Sequence, residues 1–516
     1  MKKIAIVGAG PTGIYTLFSL LQQQTPLSIS IFEQADEAGV GMPYSDEENS
    51  KMMLANIASI EIPPIYCTYL EWLQKQEDSH LQRYGVKKET LHDRQFLPRI
   101  LLGEYFRDQF LRLVDQARQQ KFAVAVYESC QVTDLQITNA GVMLATNQDL
   151  PSETFDLAVI ATGHVWPDEE EATRTYFPSP WSGLMEAKVD ACNVGIMGTS
   201  LSGLDAAMAV AIQHGSFIED DKQHVVFHRD NASEKLNITL LSRTGILPEA
   251  DFYCPIPYEP LHIVTDQALN AEIQKGEEGL LDRVFRLIVE EIKFADPDWS
   301  QRIALESLNV DSFAQAWFAE RNKREKHTVP WRYVILRLHE AVQEIVPHLN
   351  EHDHKRFSKG LARVFIDNYA AIPSESIRRL LALREAGIIH ILALGEDYKM
   401  EINESRTVLK TEDNSYSFDV FIDARGQRPL KVKDIPFPGL REQLQKTGDE
   451  IPDVGEDYTL QQPEDIRGRV AFGALPWLMH DQPFVQGLTA CAEIGEAMAR
   501  AVVKPASRAR RRLSFD

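Results

Sequence analysis

Ile4-Ala5-Ile6-Val7-Gly8-Ala9-Gly10-Pro11-Thr12-Gly13-Ile14-Tyr15-Thr16-Leu17 decides the fold of this chain. A short apolar run predicts a strand, a glycine-rich turn follows, and helical periodicity opens at Ile14. A second apolar run, Ile29-Ser30-Ile31-Phe32, ends in Glu33 and Gln34, with Glu33 20 residues past Gly13. Strand, glycine turn, helix, strand and acid in this order are the dinucleotide-binding fingerprint. Each part has a physical job. Gly8 allows the tight turn, Gly10 lets the backbone approach a pyrophosphate, and Gly13 lets helix and strand pack closely. The helix N-terminus offers free N–H groups and positive dipole to the phosphates, and Glu33 can accept hydrogen bonds from a ribose diol. The plain alternative is an ordinary βα turn.

Working outward, Phe155-Asp156-Leu157-Ala158-Val159-Ile160-Ala161-Thr162-Gly163 reads as a buried strand closing in small residues, as needed beneath a nucleotide. Ahead of it, Ala123–Tyr127, Cys130–Ile137 and Val142–Leu144 read as strands of one meander. The fingerprint then recurs in altered form. Asn193-Val194-Gly195-Ile196-Met197 is a strand, Gly198-Thr199-Ser200-Leu201-Ser202-Gly203 a turn with serine at the middle glycine, and Leu204-Asp205-Ala206-Ala207 a helix start. Its next strand, Asn237–Leu241, ends in Ser242-Arg243, a cation where the first copy has an acid. Arginine can pair bidentately with a 2′-phosphate, which favours NADP over NAD; a surface charge at a strand end is the alternative. Asp423-Ala424-Arg425-Gly426 repeats the small-residue strand end.

Residues 255–380 carry helical periodicity around Leu280–Ile292, Phe313–Arg324, Val334–Ile345 and Ile377–Leu383. They read as a helical insertion packed on aromatics such as Phe313, Trp317, Phe318, Trp331 and Tyr333, or as a cap over a substrate. His348, His352 and His354 read as a polar loop, not a metal site.

Of the 516 residues, 44% are hydrophobic and 25% charged, which is globular composition. No apolar run reaches the roughly 18 residues of a membrane helix. Lys2-Lys3 before a short, glycine-broken run does not make a secretory signal. Five scattered cysteines without C-x-x-C argue for a reducing, cytoplasmic setting and against dithiol–disulfide chemistry. The net charge of −22 disfavours nucleic acid and anionic membrane as partners. The basic end, Arg508 to Arg512, reads as a disordered tail, with docking to a protein partner as the minor alternative.

This ordered set of motifs resembles the two-dinucleotide-binding-domain flavoproteins. Within them it is most similar to a bacterial FAD/NAD(P)-binding family known as YdhS-like. Gly41-Met42-Pro43-Tyr44-Ser45, Leu54-Ala55-Asn56, Gly198–Ser202 and Thr239–Arg243 carry that closer likeness. The resemblance implies an α/β fold: two Rossmann-like dinucleotide-binding domains (three-layer ββα) with a helical insertion. The expected division is an FAD domain over 1–165 and 429–505 and an NAD(P) domain over 190–254 and 381–428. The insertion would span 255–380 and the basic tail 506–516. FAD would lie against Gly8, Ala9, Gly10, Pro11, Thr12 and Gly13, with Glu33 and Gln34 at the adenosine ribose and the Val132 backbone at the adenine. Thr162 and Gly163 would sit near the phosphates, Tyr44 and Asn56 on segments close by. Gly473 would end the closing strand, and Gly487-Leu488-Thr489 would turn a helix N-terminus to the flavin. Gly198, Ser200, Gly203 and Arg243 would hold NAD(P)H, NADPH favoured.

Two departures stand out. Relatives place an acid after the closing-strand glycine, whereas Ala474-Leu475-Pro476 follows Gly473 and only Asp481 is near. The interdomain motif of flavin monooxygenases is not matched by Phe177-Pro178-Ser179-Pro180-Trp181. The expected activity is an FAD-dependent, NAD(P)H-reduced, monooxygenase-like oxidoreductase acting on a small molecule. A plain reductase and a non-catalytic nucleotide-binding sensor remain the alternatives. No residue is assigned as catalytic acid or base; His164, Tyr44, Asn56 and His480 are read as structural first.

Overall fold

The structure is a computed structural model. It describes residues 1–23, 26–46, 51–166, 171–220, 224–248, 250–255, 258–298, 323, 327–362, 364–365, 372–480, 482, 485 and 487–503. Asp481, the basic tail and, apart from Lys323, the helix expected over 313–324 lie outside these residues. The described residues divide into two compact units, one drawn from 1–165, 427–480 and 485–503 and the other from 166–426 and residue 482.

In the first unit, β1 (Lys2–Val7), β2 (Leu27–Phe32), β3 (Ala123–Tyr127), β7 (Leu157–Ile160) and β18 (Val470–Phe472) form a parallel sheet ordered β18-β7-β1-β2-β3. Ile4, Ala5, Ile6 and Val7 are all buried, as expected of a strand covered on both faces. Helix α1 (Pro11–Leu21) starts with proline in its first turn, and α2 (Arg99–Gln119) packs Leu102, Phe106, Phe110 and Leu113 into the same core. β4 (Val132–Thr138), β5 (Gly141–Thr146) and β6 (Thr154–Phe155) make a separate antiparallel sheet. This corrects one expectation: Ala123–Tyr127 is the edge of the parallel sheet rather than the first strand of the meander. Periodicity shows that a segment is a strand but not which sheet it joins.

The second unit repeats the plan. β8 (Tyr176–Phe177), β9 (Asn193–Met197), β12 (Asn237–Ser242), β13 (Ile389–Ala393) and β17 (Val420–Asp423) form a parallel sheet ordered β13-β12-β9-β17-β8. Helix α3 (Leu201–Ala211) follows β9. A three-stranded antiparallel sheet, β14 (Lys399–Ile402), β15 (Thr407–Lys410) and β16 (Ser415–Phe418), links β13 to β17, just as β4–β6 link β3 to β7. The hairpin β10 (Gly215–Glu219) and β11 (Val225–Arg229) precedes β12. Both parallel sheets thus place the strand that leads into the glycine turn, β1 or β9, at the third position, which creates a topological switch point beside it.

Between β12 and β13 lie helices α4 (Leu280–Ala295), α5 (Pro330–Gln343) and α6 (Ser374–Glu385). Leu281, Val284, Ile288 and Ile292 of α4 meet Val334, Leu338 and Val342 of α5 in a core of their own. Glu291 of α4, fully buried, accepts backbone N–H bonds from His262, Ile263 and Val264 and so ties the preceding loop to the helix. Of the expected aromatic packing, Tyr333 is buried against Phe252 and Cys254, and Trp331 lies half-buried at the helical core.

Candidate functional site

The first glycine turn is held from three sides. Gly8 has φ +100°, and a Cβ on it would fall 2.3 Å from the Ala161 carbonyl oxygen. A Cβ on Gly13 would fall 2.2 Å from the Gly8 carbonyl oxygen. Both positions therefore require glycine, one for backbone angle and contact, the other for contact alone. Gly10 differs: its φ of −75° suits any residue, and its Cβ position lies 3.3 Å from the Cα of Gly41. Its glycine keeps the mouth of the turn open. Gly41, which the fingerprint does not point to, packs on Gly10 and Pro11 and so belongs to the same mouth.

Glu33 lies buried at the end of β2. One carboxylate oxygen accepts from the Ala9 N–H at 2.8 Å and the other from the Ala35 N–H at 3.0 Å. A carboxylate offers about four lone-pair sites, so two remain for a ribose diol. Gln34 is exposed beside it. The Cys130 N–H donates to the Glu33 carbonyl at 2.7 Å, which sets Val132, at the start of β4, near the same strand end. Thr162 and Gly163 follow Ala161 and are exposed.

A second helix start joins the first. Helix α7 (Gly487–Val503) crosses α1 so closely that a Cβ on Gly495 would lie 2.7 Å from the Thr16 nitrogen. Buried Cys491, in the opening turns of α7, hydrogen-bonds with Thr12; burial pushes its thiol up to about 11, and the Thr12 contact only partly opposes that. A Cβ on Gly473, at the end of β18, would lie 3.0 Å from Thr12 Cγ2. Gly487, Leu488 and Thr489 therefore begin their helix beside the start of α1. Two helix N-termini converging at the carboxyl end of a parallel sheet suit an anionic dinucleotide. Tyr44 adjoins this corner, its ring 5.8 Å from Phe106, and burial and the nearby Cys491 raise its phenol well above the usual range. Asn56 is exposed, on a segment anchored by Arg99, whose Nε donates to the Leu54 carbonyl at 3.0 Å. His480 is tied to the Leu430 carbonyl at 2.8 Å, and burial lowers the pKa of His164.

The second turn superposes on the first by hydrogen-bond register. Gly8 donates to Phe32 and Gly198 to Leu241; Ile14 donates to Gly10 and Leu204 to Ser200. Gly198 has φ +134° with its Cβ position 2.8 Å from the Ala424 carbonyl oxygen, and that of Gly203 is 2.3 Å from the Gly198 carbonyl oxygen. Ser200 has φ −89° and ψ −172°, close to Gly10, and its hydroxyl caps no helix N–H. The register also refines the ribose position. The residue after Leu241 is Ser242, so Ser242 occupies the place of Glu33, and Arg243 that of Gln34. Ser242 Oγ accepts from the Gly245 N–H at 2.9 Å and lies 3.2 Å from Thr199 Oγ1. Arg243 is exposed, and its Nη1 donates to Glu396 at 3.2 Å. At the far strand end Arg425 takes the place of Thr162 and pairs bidentately with Asp423. Among the described residues, no group of three His, Cys, Asp or Glu could hold a metal ion, and no helix is long and apolar enough to cross a membrane.

Residues 5–165 match the FAD-NAD(P)-binding family, and residues 265–325 and 319–369 match the YdhS-like middle domain. Over an alignment 534 positions long that covers all of both chains, the sequence is 97% identical to the uncharacterized protein YdhS of Escherichia coli (strain K12). The chain belongs to the YdhS-like FAD/NAD(P)-binding family. The glycine cradle of the first unit lies within the FAD-NAD(P)-binding match and the helices α4 and α5 within the middle-domain match. FAD and NAD(P)H are the cofactors of this family fold, and the two cradles fit them. Among solved structures, the fold is shared with L-lysine 6-monooxygenase from Pseudomonas syringae, at 14% identity over 98% of this chain and 99% of that one with a TM-score of 0.54. It is also shared with the reduced form of an ornithine hydroxylase from Pseudomonas aeruginosa, at 11% identity over 97% and 98% with a TM-score of 0.51.

Proposed function

We propose that this family member is an FAD-dependent oxidoreductase reduced by NAD(P)H, monooxygenase-like in its reaction and acting on a small molecule. The first unit holds FAD and the second NAD(P)H, with NADPH favoured. One observation carries the reading: a single cradle is built twice, with opposite chemistry at the ribose. Glu33 offers acceptors that suit an unmodified diol, whereas Ser242 and Arg243 offer a hydroxyl and a cation that suit a 2′-phosphate. The solved relatives of the fold, named as a lysine monooxygenase and an ornithine hydroxylase, point the same way.

Bound FAD supplies the hydride acceptor and the site of reaction with oxygen. The chain's own residues bind and orient. Gly8, Gly10 and Gly13 admit the pyrophosphate to the α1 N-terminus, Glu33 fixes the adenosine ribose, and Gly487–Thr489 bring the α7 N-terminus to the same corner. Ser200 leaves the second turn narrower than the first, with Arg243 as the added electrostatic hold.

A non-catalytic FAD or nucleotide sensor is the second reading. It is favoured by the segment after Gly473, where Ala474, Leu475 and Trp477 are buried apolar residues in place of an acid for the ribityl chain. An anaerobic visible spectrum before and after NADPH separates the two. Flavin bands that bleach within seconds support the oxidoreductase, and readmitted oxygen then divides monooxygenase from reductase. Bands that persist with and without candidate substrates support the sensor. A protein that cannot take up FAD refutes the oxidoreductase and leaves only a sensor of another nucleotide.

A further inference from the structure

We infer that Glu396 is a coenzyme-selectivity residue: it competes with the 2′-phosphate for Arg243 and holds the NADP preference of the second unit below what Arg243 alone would give. This rests on the assignment of NAD(P)H to that unit.

β12 and β13 are neighbours, and the chains leaving them are zipped together by the backbone. The Leu394 N–H donates to the Ser242 carbonyl at 2.9 Å and the Gly395 N–H to the Arg243 carbonyl at 3.0 Å. Gly395, at φ +76°, turns the chain immediately before Glu396. The carboxylate is thereby delivered to Arg243 by the main chain and not by chance of side-chain reach. The contact itself is weak. It uses one guanidinium nitrogen at 3.2 Å, and the side chains of Arg243 and Glu396 are 63% and 75% exposed. Such a pair changes an equilibrium by about fivefold at most, so a phosphate dianion can displace it.

The charges then decide the sign. The register puts Arg243 one residue past the ribose position, where a 2′-phosphate would be met by its guanidinium. A carboxylate already on that guanidinium lies within a few ångströms of the incoming dianion and must swing away or repel it. A ribose with a free 2′-hydroxyl carries no such charge, so Glu396 costs NADP more than NAD. The first unit needs no such device, because Glu33 itself occupies the ribose position.

The test is isothermal titration of the full chain, at low ionic strength, with 2′,5′-ADP and with 5′-AMP, for wild type, Glu396→Gln and Arg243→Ala. Glu396→Gln is expected to bind 2′,5′-ADP about fivefold more tightly with 5′-AMP unchanged, and the gain should shrink at high salt. If Arg243→Ala abolishes the preference for 2′,5′-ADP but Glu396→Gln leaves it unchanged or weaker, the role of Glu396 is overturned and the coenzyme assignment stands. If neither wild type nor Glu396→Gln prefers 2′,5′-ADP, or Arg243→Ala does not weaken 2′,5′-ADP binding, the coenzyme assignment falls and takes the role of Glu396 with it.

Discussion

Gly8 stands so close to Ala161 that a Cβ would lie 2.3 Å from the Ala161 carbonyl oxygen. Because Gly8 also has φ +100°, alanine there must both adopt an unfavourable backbone angle and push two parallel strand ends apart. Gly8→Ala is expected to cost roughly 2 kcal/mol or more and to abolish FAD retention. Gly198→Ala, at 2.8 Å from Ala424, should spare FAD and weaken nicotinamide-coenzyme binding. The flavin-to-protein absorbance ratio and coenzyme titration check both. A flavin-replete Gly8→Ala protein would show that the first cradle is not the FAD site.

Glu33 joins stability to binding. Its two oxygens each hold a backbone N–H, from Ala9 in the glycine turn and from Ala35 just downstream. Hydrogen bonds to charged groups are worth roughly 1.5–3 kcal/mol each. Glu33→Gln is therefore expected to lower FAD affinity by about tenfold to a hundredfold, through the turn as well as the ribose. Fluorescence titration of apoprotein with FAD reads the change. An affinity within twofold of wild type would remove Glu33 from the site.

Glu291 predicts a pH dependence in the helical region. Burial pushes its pKa up, but the N–H groups of His262, Val264 and Ile263, with the charge of Arg337, outweigh that and leave it lowered. A carboxyl with a folded-state pKa below its unfolded value adds stability above the unfolded value. That contribution is lost as pH falls through the folded one. Glu291→Gln should thus cost roughly 3 kcal/mol at neutral pH, and the gap to wild type should close as the pH falls below the ordinary glutamate range. Hydrogen exchange of the 262–264 amides at neutral and acid pH measures this directly; a pH-independent gap would mean that packing, not charge, holds the loop.

The parts of the fold legible in the sequence are those in which one segment suffices. β1, α1, β2 and the need for Gly8 and Gly13 follow from a contiguous stretch, as do the buried strand before Ala161 and helix α4 with its apolar stripe. Features that depend on pairing were not legible. β14 escaped notice because Lys399-Met400-Glu401-Ile402 alternates over only four residues, too short a run to read as a strand without its partner β15. β8 has two residues and gains its identity only from parallel pairing with β17. The sequence puts a cation at the second ribose, but only the β9–β12 register shows that Ser242 is the counterpart of Glu33 and that Arg243 lies one residue beyond. Gly41 likewise acquires a role only when the loop after β2 folds back on Gly10.

The crossing of α1 and α7 connects that packing to the cofactor. Gly495 sits where a side chain would strike the Thr16 nitrogen at 2.7 Å and the Tyr15 carbonyl carbon at 2.8 Å, both backbone atoms that cannot rotate away. Larger residues must therefore separate the helices. Moving α7 also moves its first turn, where Cys491 meets Thr12, away from the start of α1. Gly495→Val should lower the Tm, at a cost of about 1–3 kcal/mol, and should weaken FAD binding although residue 495 is two turns from the helix start. Cys491→Ser, which keeps a hydrogen-bonding group beside Thr12 at nearly the same volume, should disturb FAD far less. Thermal melts with and without added FAD distinguish the cases. If Gly495→Val loses stability but binds FAD as wild type does, the helix start acts independently of the crossing, and α7 does not position the flavin.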